Sequence, residues 1–307
     1  MSDPVGCTDG INVIVNTCGA NFVLVFAKTA DFAKIGYMKI TAIAFTVFMT
    51  LILAPQFGAT ADFEKGLEAA QKGDYRTAIR EWEPLAEDGS AIAQSNLGLV
   101  YRLGQGVDKN IVTAIKWYTL AAEQGYAEAQ SSLGLMYLNG EGVLRDFQKA
   151  LKWYTLAAEQ GDADAQYNVG TMYDKGLGVD QNYAVAAEWY RLSAEQGIAF
   201  SQYNLGLMYR GGQGVARDDG EAVKWYRLAA EQGFASAQTN LGIMYAFGYG
   251  VRRSYIDAYM WGGLGASNGS PNGGKLRDDF ARKMTATEVK EAKRRARDCV
   301  KKNYKGC

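Results

Sequence analysis

From residue 62 onward, apolar and polar positions alternate in paired runs with the three- and four-residue spacing of helices, and each pair returns after about 36 residues. Within 126–161 the first run holds Ala127, Ala129, Leu133, Gly134, Met136 and Tyr137. Ala129, Leu133 and Tyr137 fall at i, i+4 and i+8, which predicts a helix A turning that face to its partner. The second run sets Ala150, Trp153, Tyr154 and Ala157 at i, i+3, i+4 and i+7 and predicts a helix B that stops at Gly161. Between them, Gly140-Glu141-Gly142-Val143 supplies glycines able to take positive φ and reverse the chain.

Tryptophan displays the period. Trp82, Trp117, Trp153, Trp189, Trp225 and Trp261 are 35, 36, 36, 36 and 36 residues apart. Self-similarity of this kind marks a solenoid, in which each unit buries its apolar face only against its neighbours. The expected fold is an all-α solenoid of helix-loop-helix repeats. It comprises a degenerate first repeat at 62–89, five full units at 90–125, 126–161, 162–197, 198–233 and 234–269, and a helical cap at 270–307. In the cap, Leu276 to Met284 reads as one helix, and Thr285 with Glu288 forms a capping box for a basic helix running to about Lys302. Gly134 and its counterparts Gly98, Gly170, Gly206 and Gly242 each cost roughly 1 kcal/mol inside a helix, which points to close packing against helix B. The Trp series reads as inter-helix packing, so Trp153→Ala is expected to cost about 3–5 kcal/mol.

The first 61 residues follow a different pattern. Residues 1–37 show no sustained period and read as an unstructured extension; translation starting at Met38 would account for it. Met38-Lys39, the 15 uncharged residues Ile40 to Ala54, and Ala59-Thr60-Ala61 then have the layout of a signal peptide over 38–61, cleaved before Asp62. That run is short of the roughly 20 residues of a membrane span and is interrupted by Pro55 and Gln56, so an exported protein, periplasmic or secreted, is expected rather than an anchored one. Beyond the cleavage point only Cys299 and Cys307 remain. In an oxidising compartment the pair is expected to close a short C-terminal loop, contributing about 2–3 kcal/mol; two free thiols are the alternative.

Composition narrows the chemistry. Lys plus Arg and Asp plus Glu number 33 each, so net charge offers no case for nucleic acid. The balance is uneven: 62–269 carries 18 basic and 25 acidic residues, whereas 270–307 carries 12 and 5. Histidine is absent, which removes the usual general base and the commonest metal ligand. Glu123, Glu159, Glu195 and Glu231 recur near the end of helix B, but each stands alone in its unit, so neither a metal centre, a cofactor site nor a catalytic residue is expected.

The combined pattern A-x-A-Q-x-x-L-G-x-M-Y-x-x-G-x-G-V and A-x-x-W-Y-x-x-A-A-E-Q-G resembles the Sel-1-like repeat family, a branch of the tetratricopeptide-type α-solenoids. The resemblance is strong over five units and weak in the first; in the last, Gly262-Gly263-Leu264-Gly265 replaces Tyr and Ala-Ala after Trp261. It implies a right-handed superhelix whose concave face, lined mainly by helix A, binds a protein or peptide. Asn96, Ser132, Asn168, Asn204 and Asn240 form one candidate row, Leu99, Leu135, Thr171, Leu207 and Ile243 a second, and Arg102, Asp174 and Arg210 add charge that varies between units. Asn can both donate to and accept from a peptide backbone, or each Asn can bond to the adjacent repeat and fix the superhelical angle. The expected role is an interaction scaffold, with a regulator or inhibitor of an envelope protein as the alternative. Some cysteine-rich relatives are linked to β-lactam binding or hydrolysis, but here 62–298 contains no Cys and no set of β-lactamase motifs.

Overall fold

The computed structural model describes residues 12–17, 20–25 and 61–307. In the N-terminal unit β1 (Asn12–Thr17) pairs antiparallel with β2 (Ala20–Val25), Asn12 opposite Val25 and Thr17 opposite Ala20. The hairpin lies within the extension that its lack of period marked as unstructured; both runs are rich in the β-branched and aromatic residues that favour strands. Residues 38–60, nearly all of the expected signal peptide, lie outside the described residues.

Residues 61–307 form the second unit, an α-solenoid. The degenerate first repeat is α1 (Phe63–Gln71) and α2 (Tyr75–Glu87). The A helices of the five full units are α3 (Ala91–Leu103), α5 (Ala127–Asn139), α7 (Ala163–Lys175), α9 (Ala199–Gly211) and α11 (Ala235–Phe247). Their B helices are α4 (Ile111–Glu123), α6 (Phe147–Glu159), α8 (Tyr183–Glu195), α10 (Asp219–Ala230) and α12 (Tyr255–Ser267). The cap is α13 (Gly273–Ala281) and α14 (Ala286–Lys301).

Local chemistry sets these boundaries. Every B helix of the full units begins at an Asn, Asp or Ser whose side chain accepts first-turn amides, such as Asp146 Oδ1 from Lys149 N at 2.9 Å. Every A helix ends at a left-handed glycine, such as Gly140 at φ 71°. The second loop glycine answers a different need: a Cβ on Gly142 would stand 2.1 Å from Ile111 Cγ2, so it lets the loop lie against the start of the preceding B helix. Thr285 and Glu288 form a reciprocal capping box, with Thr285 N donating to Glu288 Oε2 at 2.8 Å and Glu288 N to Thr285 Oγ1 at 3.2 Å. The first cap helix begins earlier than residue 276 and stops before Met284. Its Gly273 is a contact residue rather than a loop residue, since a Cβ there would meet Ala266 N at 2.5 Å.

The core straddles unit boundaries. Ala114, Tyr118, Ala121 and Ala122 of α4 pack with Ala129, Leu133 and Met136 of α5, and Trp153 of α6 lies against this cluster. Two details differ from the helical-face reading. Met136 is fully buried where Tyr137 was expected, because Tyr137 turns to the next cluster. Trp153 is half-buried, and the fully enclosed aromatic of each middle B helix is the following Tyr118, Tyr154, Tyr190 or Tyr226. The full cost foreseen for a Trp truncation therefore belongs to Trp261, at 0% exposure, and not to Trp153.

The helix A glycines receive these tyrosines. A Cβ on Gly98, Gly134, Gly170 or Gly206 would stand 2.6–2.8 Å from a Tyr118, Tyr154, Tyr190 or Tyr226 ring atom. In the last unit Gly262 replaces the tyrosine, and Leu276 of α13 fills the slot beside Gly242. The final pair is thus adapted to the cap.

A buried polar ladder completes the interior. Gln130 Nε2 donates to Ala122 O at 3.1 Å, and Gln130 Oε1 accepts from Gln160 Nε2 at 2.7 Å. Gln94, Gln166, Gln202 and Gln238 repeat the arrangement, with Asn268 as the last donor. Cys299 and Cys307 are joined by a disulfide.

Candidate functional site

Amide and Tyr positions bring the predicted residues to the seams between successive A helices. Asn96, Asn168, Asn204 and Asn240 are all half-buried. Asn96 Nδ2 bonds within its own helix, to Ile92 O at 2.9 Å. Asn204 lies beside the Tyr190 hydroxyl of the preceding unit, Asn240 beside that of Tyr226, and Ser132 beside that of Tyr118. Three of the five row positions thus face the tyrosines that fill the glycine slots.

Of the variable charges, two are paired within the solenoid. The Arg102 guanidinium grips Glu141 of the next loop through Nε at 3.1 and 3.2 Å and through Nη2 at 2.8 Å. Arg210 reaches Asp219 at 3.1 Å and lies 4.3 Å over the Tyr249 ring. Asp174 has no ion-pair partner among the described residues; burial raises its carboxyl above the ordinary range, against the opposing pull of Lys175 and of a bond with Tyr190. Sequence spacing grouped these three by helix position, but Arg102 and Glu141 are 39 residues apart and nothing local signals their pairing.

Two features of this surface went unpredicted. Between α5 and α7 lies a cavity of about 290 Å³, lined by Glu128, Ser131, Ser132, Leu135, Tyr154, Asp162, Asp164 and Asn168. The Tyr154 hydroxyl at its wall is buried and has no hydrogen-bond partner, and desolvation pushes its phenol well above the usual tyrosine range. Beside it runs an aromatic step. Tyr167 of α7 lies 5.8 Å from Phe200 of α9, Phe200 lies 4.9 Å from Phe234, and Tyr203 lies 5.2 Å from Phe234. Phe200 is 55% exposed, and Ile92, Leu99, Leu207 and Phe247 are further exposed apolar side chains on A helices. The sequence signal was available: Ile92, Glu128, Asp164, Phe200 and Ser236 share one repeat position but run from apolar through acidic to aromatic and hydroxyl side chains.

Among the described residues no group of three or more His, Cys, Asp or Glu side chains converges closely enough to hold a metal ion. No helix among them is long and apolar enough to cross a membrane.

Helix pairs of 36 residues, stacked so that alternate helices share one surface, define a repeat scaffold of the α-solenoid class. The Sel1 repeat profile matches five times, at 91–126, 127–162, 163–198, 199–234 and 235–270, and the chain belongs to the Sel1 repeat family. The matched units start one residue later than those read from the tryptophan period. Members of this scaffold family typically engage other proteins. A comparison with curated proteins returns no match. Among solved structures, the chain is similar to a protective antigen present in uropathogenic Escherichia coli strains that displays this repeat fold, at 34% identity and a TM-score of 0.71 over 80% of this chain. It spans 55% of that relative's length. A Sel1 repeat protein from Oxalobacter formigenes is 36% identical, with a TM-score of 0.67, over 70% of this chain and 88% of its own.

Proposed function

We propose that this protein is an exported interaction scaffold that holds a segment of another protein along the inner surface formed by its A helices. The observation that carries this reading is the division of labour within each A helix. The repeated residues, Gln130, Leu133, Gly134 and Met136 and their counterparts, are consumed in packing, whereas the exposed position typified by Phe200 changes from apolar to acidic to aromatic between units. A surface built this way has a regular backbone and irregular contacts, which is what selective recognition of one partner requires. Asn96, Asn168, Asn204 and Asn240 would contribute amide bonds to the bound backbone, with selectivity from the varying residues beside them, including Asp174. Export is supported by the 38–61 pattern and by a disulfide of the kind that persists in oxidising compartments.

The test is affinity capture from an envelope extract with the full chain, beside a Phe200→Ser, Leu207→Ser variant whose helicity is matched by circular dichroism. A partner retained by the parent and lost by the variant is the expected result. A partner held equally by both would move the site off the A helices.

A further inference from the structure

The cavity between α5 and α7 has chemistry that a regular packing gap does not need. Glu128 and Asp164 occupy the same repeat position in successive A helices and are both exposed. Asp162 joins them, with one oxygen accepting the Ala165 amide at 2.6 Å as the α7 cap. None of the three has an ion-pair partner among the described residues, whereas Arg102, whose charge reaches Tyr154, is already committed to Glu141. Among the described residues the only side-chain donor on Glu128 is the Tyr126 hydroxyl, at 3.3 Å.

A second observation is independent of those carboxylates. Tyr154, 1% exposed, lines the cavity, and its buried hydroxyl finds no hydrogen bond. In the other units the same hydroxyl is accommodated: Tyr190 donates to Thr171 Oγ1 at 3.1 Å, Tyr118 has Ser132 and Arg102, and Tyr226 has Asn240. At Tyr154 the residue matching Thr171 is Leu135, and Asn168, the counterpart of Ser132, Asn204 and Asn240, makes no hydrogen bond to the hydroxyl. An unpaired buried hydroxyl costs free energy that a ligand donor would recover.

We propose that this cavity receives a lysine or arginine side chain from the segment bound along the A helices, with Glu128, Asp162 and Asp164 supplying the counter-charge and Tyr154 Oη and Asn168 Oδ1 accepting its N–H groups. The inference rests on the groove reading above and names the partner's chemistry. An ammonium or guanidinium suits the site better than a metal ion, because the carboxylates line the wall without converging on one point. Tyr167, adjacent to Asn168, leads from the cavity to the exposed Phe200, so the preferred segment pairs its basic residue with an apolar one seated on the aromatic step.

The test uses the full chain and a positional-scanning library of N-acetylated, C-amidated hexapeptides, followed by the tightest peptide and its counterpart with citrulline, a neutral isostere, in place of arginine. Selection of Lys or Arg at one position beside an apolar residue is expected, with at least a tenfold loss for citrulline. Glu128→Gln combined with Asp164→Asn should cost a similar factor. Tyr154→Phe should weaken binding several-fold while leaving the melting temperature unchanged or raised, a combination that a purely structural hydroxyl would not give. Equal binding of the arginine and citrulline peptides, with amide shifts still confined to the A helices, would overturn the cationic pocket and leave the groove standing. Shifts confined to the B helices or the cap, or no hexapeptide bound at all, would overturn the pocket, and Phe200→Ser, Leu207→Ser capture then decides the groove separately.

Discussion

At the scale of single residues, the glycine in the middle of helix A is constrained by space alone. Gly134 has no φ requirement, so its conformational freedom is not what the fold uses. What it provides is space: a Cβ would fall 2.8 Å from two Tyr154 ring atoms, and that ring is enclosed and cannot swing away. Gly134→Ala sets two effects against each other, a helix-propensity gain of about 1 kcal/mol and an overpacking cost of about 1–3 kcal/mol. Because the clash is with the body of a buried ring and not with a flexible tip, overpacking wins, and thermal denaturation should show a net loss of about 1–2 kcal/mol. The same substitution in a Tyr154→Ala background should be neutral or stabilising, since the obstacle is gone while the propensity gain remains. A loss in both backgrounds would show that the glycine serves something other than the tyrosine.

At the scale of elements, the units are joined by apolar clusters and by the glutamine ladder, and the two differ in how readable they were. Helix spacing, the paired loop glycines and the Thr285–Glu288 box follow from local rules, so 14 helices among the described residues match the expected run of pairs. Adjacent aromatics were harder: Trp153 and Tyr154 sit 100° apart on one helix, and both fit an apolar stripe, so spacing alone could not rank their burial. The ladder was unreadable because glutamine usually marks a solvated face, and only its three-dimensional partners, 8 and 30 residues away, explain why Gln130 is buried. The candidate site was legible as rows on helix A, but the Arg102–Glu141 clasp and the unpaired Tyr154 hydroxyl arise from tertiary contacts. The ladder makes a graded prediction. Gln130→Ala removes a buried link between α4, α5 and α6; Ala122 O keeps the Gly125 amide, so the expected cost is about 1–2 kcal/mol. Gln160→Ala, whose exposed side chain water can replace, should cost less than about 1 kcal/mol. Urea denaturation of the two variants compares them directly, and equal costs would remove the ladder from the list of links between units.

At the scale of the whole molecule, a solenoid has no central core, and its ends are where order is lost first. The N-terminal end is closed by a unit in which Trp82 fills the space beside Gly66, and Glu81 is held by Lys65 at 2.6 Å. The C-terminal end is closed by contacts that continue the repeat by other means. Leu276 takes the missing tyrosine's place, Asn268 takes the glutamine's, and the chain end then folds over Asn268, with Tyr304 Oη donating to Asn268 Oδ1 at 3.1 Å and Gly306 N to Glu231 Oε1 at 3.3 Å. The disulfide from Cys307 to the buried Cys299 keeps this tail in place. For a loop this short the cross-link contributes about 2–3 kcal/mol through the unfolded chain, but in a quasi-one-dimensional array that free energy belongs to the end and is not shared along the stack. Cys299→Ser combined with Cys307→Ser should therefore lower hydrogen-exchange protection in α11 to α14 while leaving α3 to α6 unchanged. Uniform loss of protection from α1 to α14 would instead mean that the stack unfolds as one unit, and that the chain end stabilises the surface on which the partner would lie.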